Sequence, residues 1–124
     1  MTKPPRVLMV EDQSLVAATL EIQLGKEFAV RHVADGQAAV EILAAEPDDA
    51  FDVVLCDVEM PRLDGLGVLL WARLERPSLL QRLLFMTANP EVPQARAIAR
   101  SHMHPLLVKP CTRATLLDAI RALG

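Results

Sequence analysis

Five short apolar runs punctuate the chain, and each stops abruptly at polar or turn-forming residues. Val7–Val10 ends at Glu11-Asp12. Phe28–Val33 is weaker and leads to Asp35-Gly36, and Val53–Cys56 ends at Asp57. Leu83–Met86 ends at Thr87-Ala88-Asn89-Pro90, and Leu106–Val108 at Lys109-Pro110. Apolar runs that are continuous rather than alternating predict strands covered on both faces, which means a parallel sheet between helices. Helical spacing fills the intervals. Leu15, Ala18, Thr19, Ile22 and Leu24 fit one face, with Ser14 and Gly25 as cap candidates. The Ala-rich stretch Gln37–Glu46 stops at Pro47, and Leu66–Arg76 groups Leu66, Leu69, Leu70 and Leu74 before Pro77. Gln94–Ser101 carries Ala95, Ile98 and Ala99. Thr112–Leu123 opens on a capping threonine and aligns Leu116, Leu117, Ile120 and Leu123. Strand and helix alternate five times without a repeat or a linker, which predicts a doubly wound α/β fold.

Length and composition fit that picture. With 124 residues, 52% of them hydrophobic, the chain supports one core and is expected to be a single domain over 1–124. Cys56 and Cys111 have neither metal-type nor redox-type spacing, and two lone thiols point to a reducing compartment. No apolar stretch reaches the roughly 20 residues that span a bilayer. The opening Met-Thr-Lys-Pro-Pro lacks the apolar run of a secretory signal. A cytoplasmic domain with no membrane and no direct nucleic-acid partner is expected. Charge changes the picture more. The net value of -3 hides 13 acidic against 5 basic residues up to Gly65, and 3 against 8 beyond it.

The strand ends carry the candidate chemistry. Ligands of open parallel sheets gather at the carboxyl ends of the strands. Glu11, Asp12 and Asp57 at neighbouring ends would repel one another and need a compensating cation. Hard carboxylate oxygens suit Mg²⁺, and Lys109 adds a fixed positive charge. An aspartate flanked by a metal, a lysine and a threonine hydroxyl is a suitable phosphoryl acceptor, since the cations neutralise the transferring group and Thr87 can donate to it. Each feature alone has an ordinary explanation. Glu11-Asp12 suits a helix N-terminus, Asp57 a loop, Thr87 a turn, and Lys109-Pro110 a strand end. Four independent strand ends supplying complementary groups is the specific signal.

Val10-Glu11-Asp12, the run from Asp57 through Met60-Pro61 to Asp64-Gly65, Met86-Thr87-Ala88 and Val108-Lys109-Pro110 occur in an order and spacing that resemble the receiver domains of bacterial two-component response regulators. The resemblance covers Arg6 to Gly124. It implies a flavodoxin-like sheet of strand order 2-1-3-4-5 with five flanking helices. It also implies Asp57 as phosphoacceptor, and Mg²⁺ held by Glu11, Asp12, Asp57 and the main-chain carbonyl of Glu59. Lys109 would bind the phosphoryl group and Thr87 would be the switch hydroxyl. Pro110 would follow a cis bond, and Asp64-Gly65 would shape the loop before the third helix. The phosphodonor would be a histidine kinase or phosphotransfer protein. The readout would pass through helix 4, strand 5 and helix 5 to an output domain, a downstream protein or a second copy in a homodimer. Such a domain signals; it assists its own phosphorylation and dephosphorylation rather than turning over a substrate.

One departure stands out. The family commonly has an aromatic residue three positions before the lysine, where this chain has Leu106. Two other classes compete with the receiver reading. A haloacid-dehalogenase-type phosphatase also uses an Asp nucleophile, with an acid two positions later where Glu59 stands, but it lacks the Lys109-Pro110 end. A phosphorylation-independent docking module would not need the full acceptor set. Glu59 and Asn89 are expected at the mouth of the site, governing access. His102-Met103-His104 is expected as an exposed loop, Cys56 as a buried strand residue and Cys111 as an inert helix-start residue. Trp71 fits either core or a contact surface.

Overall fold

The computed structural model describes residues 3–123; Met1, Thr2 and Gly124, the ends of the expected domain, lie outside them. The strands are β1 (Arg6–Val10), β2 (Ala29–Val33), β3 (Val53–Asp57), β4 (Leu83–Thr87) and β5 (Leu107–Val108). The helices are α1 (Ser14–Leu24), α2 (Gly36–Ala45), α3 (Gly65–Glu75), α4 (Pro93–Ser101) and α5 (Arg113–Arg121). Short 3₁₀ turns occupy Gly25–Glu27 and Pro77–Arg82. All pairings are parallel and the strand order is 2-1-3-4-5, as the resemblance implies.

The pleat divides the core in two, because successive strand side chains point to opposite faces. Leu8, Val10, Val54, Cys56 and Phe85 face one side, where α2, α3 and α4 pack through Ala39, Leu43, Val68, Leu69, Ala72, Ala95 and Ile98. Val7, Met9, Val53, Leu55, Leu84, Met86 and Leu107 face the other, against Ala17, Leu20 and Leu24 of α1 and Leu116 and Ile120 of α5. Every residue of β3 and β4 is buried, which is why these runs read as continuous rather than alternating. The edge strand β2 is largely exposed, and that explains its weaker sequence signal.

Two helical faces differ from the expected stripes, α1 at most positions and α3 at Leu70 and Leu74, while Leu24, Leu66 and Leu69 pack on the core as expected. On α1 the stripe Leu15, Ala18, Thr19 and Ile22 points to solvent, with Leu15 83% and Ile22 79% exposed. The buried face is Ala17, Leu20 and Leu24. Both faces of this helix are apolar, so periodicity alone did not choose between them. On α3 the buried residues are Gly65, Val68, Leu69 and Ala72, and Leu70 and Leu74 are exposed. Ala99 of α4 is also exposed.

The caps agree in part. Thr112 caps α5 by accepting from the Thr115 amide at 3.1 Å. Gly25 closes α1 at φ 62°, a conformation that favours glycine. Ser14 is the first residue inside α1, and the cap position is Gln13, which makes no side-chain capping bond. Leu106 lies just before β5 and packs against the α2–α4 side of the core.

The segment from His102 to His104 lies in the connection after α4 and exposes Met103 as expected, but its two histidines turn inward. Both are half-buried, and their Nε2 atoms lie 2.7 Å and 2.8 Å from the carbonyl oxygens of Leu83 and Gln81. The His102 ring meets Phe85 edge-on at 5.2 Å. Burial pulls its pKa below the usual histidine value. Cys56 is buried as expected, Cys111 is half-buried, and Trp71 packs partly against the α2–α4 side.

Candidate functional site

Strand alternation decides which side chains meet at the carboxyl ends. Val10 pairs with Cys56, so Glu11 emerges beside Asp57, and both continue the face that Met9 and Leu55 occupy. Leu107 lies on that same face, so Lys109, two residues on, returns to it. Three sequence-distant residues therefore converge. Lys109 Nζ donates to Glu11 Oε1 at 2.9 Å and lies 3.0 Å from Asp57 Oδ1. Glu11 and Asp57 are almost fully buried. Asp12, the next residue along the turn, is exposed but brings a carboxylate oxygen into the same cluster. Glu11, Asp12 and Asp57 each place one oxygen within 4.8 Å of the others.

These neighbours set the charge states. Burial is the main cause that lifts Asp57 to a pKa of about 6; Glu11 adds to the rise, and Lys109 opposes it. Asp12 is raised by partial burial and by the adjacent Glu11 carboxyl. Burial by itself would lower Lys109, but its bonds to the two carboxylates prevail and raise it. Three acids and one base leave net negative charge at a largely buried cluster, and three clustered oxygens are the donor set a small divalent cation takes.

Local backbone fixes each group. The Val58 amide donates to Asp57 Oδ1 at 3.1 Å, and the Gln13 amide donates to Glu11 Oε2 at 3.1 Å. The Glu11 carbonyl lies 2.7 Å from His32 Nε2, a contact from β2 that sequence reading did not anticipate. Gly65 opens α3 so close to β3 that a Cβ there would stand 2.7 Å from the Asp57 carbonyl oxygen. Asp64 caps the same helix through the Gly67 amide at 2.9 Å. The Lys109–Pro110 bond is cis.

Thr87 stands apart. It follows Phe85 on the α2–α4 side of the sheet, and its hydroxyl donates to the Asn89 carbonyl and accepts from the Asn89 amide, both at 3.1 Å. The Asn89 side chain accepts from the Glu91 amide at 3.0 Å. Glu59 is exposed and, with Asp57 and Lys109, lines a groove of about 550 Å³. The groove runs between the start of α1 and the β5–α5 connection, and Leu15, Val16, Leu20 and Cys111 form its apolar wall.

Known proteins agree with this geometry. The family model described as response regulator receiver domain matches residues 7–121. The response regulator MprA of Mycolicibacterium vanbaalenii is 34% identical over 97% of this chain and 50% of its own length. The response regulator protein FleR of Pseudomonas aeruginosa is 37% identical over 96% of this chain and 25% of its own. The solved receiver domain of a P. aeruginosa sensor histidine kinase superposes with a TM-score of 0.84 at 25% identity, covering 98% of both chains. That structure has a magnesium ion coordinated in its active-site cleft. The chain belongs to the response regulator receiver domain family of two-component signalling. It spans half or less of the length of these curated relatives. Among the described residues, no helix is long and apolar enough to cross a membrane.

Proposed function

We propose that Asp57 is the phosphoacceptor of this receiver domain. The observation that carries the reading is the contact of Lys109 Nζ with both Glu11 and Asp57, which places a fixed cation beside a buried nucleophile. Asp57 attacks the phosphorus of a phosphohistidine on a histidine kinase or phosphotransfer protein. A P–O bond forms as the P–N bond breaks, and the imidazole departs and takes its proton from solvent. A pKa of about 6 leaves Asp57 ionised at neutral pH yet more basic than an ordinary aspartate. Lys109 then turns from the carboxylate to the phosphoryl oxygens.

Glu11, Asp12 and Asp57, with the main-chain carbonyl of Glu59, would hold Mg²⁺. When bound, the ion polarises the phosphoryl group and offsets its charge. Thr87 releases Asn89 to donate its hydroxyl to the phosphoryl group, and this movement alters the α4–β5–α5 surface for an output domain, a downstream protein or a second copy. Leu106 fills the place of the family's switch aromatic, so the coupling runs through aliphatic repacking. Glu59, at the groove mouth, screens Asp57 from water and from anionic donors. Leu15 on the wall of that groove and Ile22, two turns further along α1, are both exposed, and they are the apolar footing on which the donor docks.

The test is direct. Incubation with Mg²⁺ and acetyl phosphate should add the mass of one phosphoryl group to the wild type and none to Asp57→Asn. Steady turnover of varied phosphomonoesters would instead indicate a phosphatase, and no adduct with either reagent a docking module. Leu15→Asp with Ile22→Asp should slow transfer from a phosphohistidine donor by about tenfold or more and leave acetyl phosphate labelling unchanged.

A further inference from the structure

The loop between β3 and α3 contains a strained turn held from outside. Arg62 has φ 68°, and among the described residues it alone adopts a positive φ without being glycine. The Leu63 amide donates to the Pro61 carbonyl at 2.8 Å. A hydrogen bond across two residues with a positive φ at the centre is the rarer and more strained form of the γ-turn. An arginine persists there only if its surroundings over-determine it.

The surroundings are the β2–α2 turn, 27 residues earlier. Arg62 Nε donates to Asp35 Oδ2 at 3.1 Å, and Nη2 donates to the same oxygen. Arg62 is exposed, but Asp35 is buried, and its other oxygen caps α2 by accepting from the Ala38 amide at 2.9 Å. A second tie lies alongside: the Gly36 amide donates to the Leu63 carbonyl at 3.1 Å, and any Cβ on Gly36 would collide with that oxygen. Arg62 also holds the Asp35 carboxyl below its ordinary range. The far end of the loop is anchored too, by the Gly65 amide on the Val58 carbonyl at 2.7 Å. The segment between these anchors carries Glu59.

We propose that Arg62, clamped to Asp35, is a positioning residue that holds the β3–α3 loop in its strained turn and so presents the Glu59 carbonyl to the cation of the Asp57 site. The inference rests on the reading that Glu11, Asp12, Asp57 and Glu59 take Mg²⁺. Its sign sets it apart from simple electrostatics. Removing a positive charge, and freeing Asp35 from it, should tighten binding of a divalent cation if charge alone matters. Loss of positioning weakens it.

The experiment is calorimetric titration of Mg²⁺ into the unphosphorylated protein, with urea unfolding of each variant alongside. Arg62→Ala should weaken Mg²⁺ about 3- to 10-fold, somewhat less than is usual for groups that directly orient a metal ligand. Asp35→Asn keeps the helix cap and loses the charge, and should weaken it similarly. Arg62→Gly removes the clamp but adopts a positive φ without strain, so it should fall between wild type and Arg62→Ala. Arg62→Lys should restore most of the affinity. Equal or tighter Mg²⁺ binding by Arg62→Ala, in protein that unfolds at the wild-type urea midpoint, would overturn the proposal. If the wild type itself fails to bind Mg²⁺, the metal reading fails and the inference falls with it.

Discussion

Glu11, Asp57 and Lys109 come from the ends of three strands and are joined through the Lys109 ammonium, whereas Thr87, from a fourth, gives its hydroxyl to Asn89 within its own loop. The pleat is the cause. The first three side chains continue the sheet face that packs on α1 and α5, and Thr87 continues the opposite face, toward α3 and α4. One half of the cleft is thus assembled in the resting protein, with a cation already between two carboxylates. The other half is satisfied locally and must exchange its partners before it can act. On the proposed reading, a site built this way keeps the acceptor side ready and leaves movement to the Thr87 side.

The assembled half breaks most severely when its cation is removed. Lys109→Met leaves two buried carboxylates facing each other, and urea unfolding at pH 7.5 without metal should show a loss of about 3 kcal/mol. A loss much below that would mean water screens the cluster.

Asp57→Asn works in the opposite direction and sharpens the contrast. The native pKa of about 6 exceeds the ordinary 3.8, so the ionised carboxylate is a burden on the folded state. Above pH 6 the burden is complete; it shrinks as pH falls from 6 toward 3.8 and is gone below 3.8, where native and unfolded forms are both protonated. Metal-free Asp57→Asn should therefore be the more stable protein at pH 7.5, by on the order of 1–2 kcal/mol after solvent screening. The gain should shrink to nothing below pH 3.8, and a gain independent of pH would contradict it.

Thr87→Ala should have the smallest effect on stability, about 1 kcal/mol for one local hydrogen-bonded hydroxyl. Its labelling by acetyl phosphate should persist. Its response at α4 and β5, read from amide chemical shifts, should be lost.

Much of this was legible in the sequence. Four of the five strand ends located Glu11, Asp57, Thr87 and Lys109, and alternation along the buried runs accounts for which of them meet. The direction of α1 was not legible, because Leu15 and Ile22 match the core residues Ala17, Leu20 and Leu24 in apolar character. Nor was the clamp of Arg62 on Asp35. Asp35-Gly36 reads as a simple turn, and nothing local marks Arg62 for a left-handed conformation or for a partner 27 residues away. The half-burial of His102 depends likewise on Phe85 and the Leu83 carbonyl, contacts that exist only once β4 and the α4–β5 connection are side by side.

The contrast between a fixed and a movable half is tested most directly by amide chemical shifts recorded before and after addition of Mg²⁺ and beryllofluoride. The account predicts the largest changes from Thr87 through Val92 and at Val108, with Val7–Val10 and Val53–Cys56 nearly still. Changes confined to the neighbours of Asp57, or spread evenly along all five strands, would contradict it.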